Sequence, residues 1–144
     1  MKKKVAVLLI TLAIALPALI LGPMIWPASG HVSPTPGQLP FFIFLSIIEA
    51  LAFGLGVSFL IYGWPLVRKV ERTAKQNGWL LYISIAWLLM SWWPHDNMHI
   101  HNGDDMAGLL RIEYGFHLTL MIAGFILAYN FFQFIQHYHP GRGK

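Results

Sequence analysis

Residues Trp92–Asp105 concentrate His95, His99, His101, Asp96, Asp104, Asp105 and Met98 into fourteen positions, and Glu113 and His117 follow shortly after. Two imidazoles four residues apart lie on one face of a helix, about 5–6 Å apart at Cβ, close enough to bind one ion. His95 and His99 have that spacing, and Glu113 and His117 repeat it on the next segment. Set on facing helices, the two pairs would give a metal site of three imidazoles and one carboxylate. We therefore expect His95, His99 and His117 as ligands, with Glu113 as fourth ligand or general base. His101 and Met98 are reserve ligands, reached if the chain turns extended after His99. Asp96, Asp104 and Asp105 read either as acceptors that orient imidazole N–H groups or as helix caps and solvated loop charges.

The chain has no Cys. Thiol catalysis, disulfide exchange, iron–sulfur ligation and Cys-type zinc sites are thereby excluded. Imidazole suits zinc, copper, iron and nickel, and carboxylate favours iron, zinc or manganese. With Met98 adjacent, copper joins zinc as the preferred ion, and iron or haem follows. There is one His-x-x-x-His box and no His-His pair, unlike the several His boxes of membrane di-iron hydroxylases.

The elements that must position these residues are apolar. Of 144 residues 56% are hydrophobic and 11% charged, with a mean hydropathy of +0.57. Soluble domains carry about 25% charged residues, so the composition predicts one integral membrane domain over residues 1–144. Its Lys and Arg cluster beside the apolar runs, where they orient the chain in the bilayer rather than bind nucleic acid.

Four spans are expected, over residues 5–26, 41–64, 79–93 and 112–135, forming an all-α four-transmembrane-helix bundle. The first has 22 uncharged residues, enough to cross a core of about 30 Å at about 1.5 Å per residue. Pro17 is expected to kink it. The small residues Pro27-Ala28-Ser29-Gly30 also suit a cleavage site, but the run exceeds the roughly 7–15 residues of a signal peptide's apolar region, so retention is expected. His31, alone in the next loop, reads as solvated. Pro40 suits the first turn of the second span, where Ala50, Gly54 and Ser58 recur every four residues as a stripe of close helix approach. The third span is short unless its helix continues past Pro94.

Lys2–Lys4, the basic residues Arg68, Lys69, Arg72 and Lys75, and the tail with His137, His139, Arg142 and Lys144 alternate with loops poor in Lys and Arg. The positive-inside rule then makes both termini cytoplasmic and puts the His/Asp loop, 94–111, outside. Arg111 is the single basic residue on that side, beside Asp104 and Asp105.

Glu49 stands apart. It lies nine residues past Pro40, roughly 14 Å along the helix, and an acid at that depth faces a partner or a cavity. Its readings are a hydrogen-bonded structural acid, a proton relay, a ligand or a cofactor contact. Three functions stay open. The first is metal binding or delivery, or a subunit of a membrane oxidoreductase. The second is a small enzyme using Glu49, Glu113 and His117 in acid–base chemistry on a lipid-soluble substrate. The third is a structural membrane subunit whose polar loop docks a partner protein.

Overall fold

A computed structural model describes residues 2–29, 34–74 and 77–138, with side chains for all of these except 71–74 and 137–138. His31, Lys75, His139, Arg142 and Lys144 lie outside the described residues, as do the side chains of Arg72 and His137.

Every described element is helical. The order is α1 (Lys2–Ile25), α2 (Leu39–Tyr62), α3 (Trp64–Ala74), α4 (Gly78–Met90), α5 (Trp92–Asn102), α6 (Met106–Ile112), a π-helical turn (Glu113–His117) and α7 (Leu118–Tyr138). Three helical stretches, Lys2–Ile25, Leu39–Tyr62 and Met106–Gln136, are long and apolar enough to cross a membrane, and α4 is a shorter apolar helix. Helices are what such runs must form, because hydrocarbon offers the backbone no hydrogen-bond partner. Large apolar side chains such as Ile20, Met24, Phe41 and Phe125 are exposed. Water would penalise a surface of that extent; lipid does not.

The principal contacts run in series, α1 on α2, α2 on α4, and α4 on α7. α1 continues through Pro17 and Pro23. The stripe on α2 meets it as expected. Ala50, Gly54 and Ser58 are buried, and a Cβ at Gly54 would stand 2.2 Å from the Thr11 carbonyl oxygen. That near contact of backbones lets Thr11 Oγ1 and Ser58 Oγ hydrogen-bond at 2.9 Å, while Ser58 Oγ donates to the Val7 carbonyl at 3.1 Å. Gly56, on another side of α2, makes room for Leu89 and Met90 of α4.

Two boundaries differ from the sequence expectation. The second span ends at Tyr62, and the basic connection is itself a helix, α3. Trp64, Val67 and Val70 recur at three-residue intervals and pack on Leu81 and Tyr82, leaving Arg68 and Lys69 exposed on the other face. The helix expected as the third span does continue past Pro94, but in two pieces, and its first piece is a shorter apolar helix. Pro94 has no N–H, so the bond back to Met90 is lost and the helix breaks at Ser91. Pro94 then falls in the first turn of α5, where it costs nothing. Alone, the 13 residues of α4 cover only about 20 Å.

α5 ends at Gly103, whose φ of +53° is reserved in practice for glycine. The segment after α1 is pinned there, with the Ser29 N–H donating to the Ile100 carbonyl at 3.2 Å. Asp105 caps α6, accepting from the N–H groups of Ala107 at 3.2 Å and Gly108 at 3.0 Å. Of the three loop acids, it is the one that serves as a cap.

Candidate metal centre

His95 and His99 rise from successive turns of α5, and His117 comes from the π turn across the loop. His95 Nε2 lies 2.7 Å from His117 Nε2 and 3.1 Å from His99 Nε2. The three form a group able to hold one metal ion. Donors about 2.0–2.1 Å from a tetrahedral ion stand roughly 3.3–3.4 Å apart, close to the 3.1 Å of the His95–His99 pair and wider than the 2.7 Å of the His95–His117 pair, which must open to admit an ion.

The opposite ring nitrogens explain the convergence. His117 Nδ1 is 2.6 Å from Glu113 Oε2, and His95 Nδ1 is hydrogen-bonded to Asp96 Oδ1. A carboxylate only accepts, so each Nδ1 carries the proton. Each Nε2 is left with a bare lone pair, and two such lone pairs face each other across 2.7 Å. A proton shared between the two rings or a metal ion among the three nitrogens relieves that repulsion. Carboxylates behind ligand imidazoles are the usual means of fixing ring orientation and raising basicity.

His95 is buried and ringed by aromatic groups, with Trp92 at 5.9 Å and Phe116 at 5.6 Å between ring centroids. Burial, followed by the neighbouring His95, holds the His99 imidazole below its usual pKa. The neutral ring, the form that ligates, is favoured there.

Of the remaining predicted residues, Glu113 stands behind His117 at Nδ1 and is not one of the converging groups. Helix α5 runs on to Asn102, so the extended turn that would bring in His101 and Met98 does not occur. His101 instead bonds through Nδ1 to the Pro27 carbonyl at 2.9 Å, and Met98 falls about 100° around the helix from His99. Glu49 lies away from the triad on α2, where its carboxyl meets that of Asp96. Asp96 thus touches both His95 and Glu49, a link that no spacing in the sequence indicates.

The π turn was also not anticipated. The Leu118 N–H bonds back five residues to the Glu113 carbonyl, inserting one extra residue where Glu113 and His117 stand. Thr119 fastens it to α4. Its hydroxyl donates to the Gly115 carbonyl at 2.6 Å and accepts from Trp87 Nε1 at 2.9 Å. Short π segments recur at functional sites.

Comparison with protein-family models, curated proteins and solved structures finds no match to this chain. The functional reading rests on the site itself.

If Glu113 orients His117, Glu113→Ala should weaken metal binding about 10–100-fold, as losses of such partners do, and Glu113→Gln should restore part of it by accepting the same hydrogen bond. Competitive titration against a chromophoric chelator measures both.

Proposed function

We propose that this is an integral membrane protein that holds one first-row transition-metal ion on His95, His99 and His117. The observation that carries the proposal is the convergence of three Nε2 atoms, two of them on rings whose Nδ1 is held by a carboxylate on the far side. Three neutral imidazoles without thiolate favour copper or zinc. Three protein ligands leave a fourth position for water, substrate or an exchanging partner. The site belongs on the non-cytoplasmic face by the positive-inside rule. There the small chain acts in metal delivery or as a subunit of a larger membrane oxidoreductase, with the bilayer and other membrane subunits as partners.

The deciding experiment is metal analysis of detergent-purified protein prepared without chelators, supplemented by zinc or copper titration. One ion per chain is the expected stoichiometry. Failure to retain or take up an ion at micromolar concentration would overturn the proposal.

A second reading, acid–base chemistry on a lipid-soluble substrate, has one observation in its favour. A cavity of about 590 Å³ extends between Glu49 and His99.

A further inference from the structure

That cavity lies beside the triad and shares His99 with it. Its walls come from the end of α1, Trp26, Ala28 and Pro34 of the connection that follows, the first half of α2, and α5. Its volume, about 590 Å³, falls in the roughly 300–1,000 Å³ range of pockets for small organic molecules. Leu19, Pro23, Leu45 and Ile100 make much of the lining apolar. The rest has one chemical bias. Two carboxyls, Glu49 and Asp96, hydrogen-bond to each other in the wall and so carry one proton and one negative charge between them, three aromatic groups, Trp26, Phe42 and Trp93, line it, and no Lys or Arg of the described residues does.

Trp26 and Trp93 stand edge to face at 5.0 Å between centroids and 75°. Phe53 packs on Trp93 at 4.8 Å and holds it in place. Aromatic faces attract cations and not anions, and acidic residues without basic ones add a field of the same sign. An apolar anion is excluded by both. His99 belongs to this wall and to the triad, but its Nε2 is committed to the triad.

We infer that the cavity binds a lipophilic organic cation, its apolar body against α1 and α2 and its positive centre between the Trp26/Trp93 pair and the Glu49/Asp96 carboxyls. The inference rests on the cavity alone and not on the metal reading.

Tetraphenylphosphonium and tetraphenylborate, nearly equal in size and apolar surface but opposite in charge, separate charge recognition from partitioning. Full-length protein in nanodiscs of zwitterionic lipid, freed of metal by chelation, is titrated with labelled tetraphenylphosphonium, and empty nanodiscs supply the blank. Saturable binding near one per chain is expected, and tetraphenylborate should fail to compete. The double variant Glu49→Gln/Asp96→Asn, which removes the charge of the pair, and Trp26→Ala should each weaken it about tenfold, the loss of one charge or cation–π partner. Monodisperse elution and unchanged helical circular dichroism confirm that each variant is folded. Three results overturn the inference: no saturable binding above empty discs by the unmutated protein, equal competition by the borate, or unchanged affinity in both variants. Metal content is measured on separate aliquots, so zinc binding without phosphonium binding removes the cavity proposal and leaves the metal centre standing.

Discussion

His95→Ala is expected to abolish high-affinity metal binding, with a loss beyond the 100-fold upper range for removing an orienting partner. His95 is the central member of the triad, its Nε2 within 3.1 Å of both other Nε2 atoms. His99 and His117 each hydrogen-bond to it, while their own rings stack at 6.0 Å between centroids. Without it two nitrogens remain on separate elements, and Asp96 loses the ring it holds. His101→Ala is the matched control. It removes an imidazole two residues beyond His99, but one engaged with the Pro27 carbonyl, so affinity should stay within about twofold, the usual scatter of single-site effects. Isothermal titration of both variants with zinc distinguishes them. Equal losses would mean that the His-rich loop binds metal diffusely. Equal retention would mean that the triad is not the site. Metal should also leave as pH falls through the imidazole range, because protons compete for the same lone pairs.

The second large effect is structural. Gly54→Val is expected to destabilise the fold by about 2–4 kcal/mol, combining overpacking at about 1–3 kcal/mol with interhelical hydrogen bonds at about 0.6 kcal/mol each. A side chain there meets backbone, the Thr11 carbonyl oxygen at 2.2 Å and the Ala15 nitrogen at 3.2 Å. The helices must therefore part, and the Thr11–Ser58 and Ser58–Val7 bonds lengthen with them. Gly124→Ala provides the contrast, because a Cβ at Gly124 meets nothing within 4 Å. That change should be neutral or stabilising by up to about 1 kcal/mol. Unfolding in a detergent-to-dodecyl-sulfate titration reads both, and comparable curves for the two would mean that α1 and α2 do not pack through Gly54.

The residues that these predictions test were legible in the sequence to different degrees, for physical reasons. His95 and His99 were readable because a helix turns local spacing into shared direction, and Gly54 because a small-residue stripe has the same period. His117 was readable as the nearest imidazole across the turn. Glu113 was correctly set beside His117, but its side of the ring was not readable. The π turn changes the rotation between residues 113 and 117, and no composition rule announces it. Asp96 was one of three loop acids with two readings each. Its contacts with His95 and Glu49 depend on how α5 lies against α2, and a one-dimensional pattern does not carry that information. α3 was missed because charge dominates the connection, although Val67 and Val70 hold the helical period beneath it.

The one-residue expansion at Glu113–His117 has a wider consequence. In a continuous α-helix from Met106 to Gln136, the direction of His117 would dictate which residues of α7 meet α4 and which meet lipid. The extra residue shifts the phase between the two halves by about 100°, one residue's rotation. The end that carries the His triad and the apolar end can then each keep their own facing, and sequence change in one leaves the aim of the other alone. A single-residue deletion there would straighten the helix and leave the facing of α7 unchanged, because the lost residue is the one the π turn absorbs, while the aim of His117 would be lost.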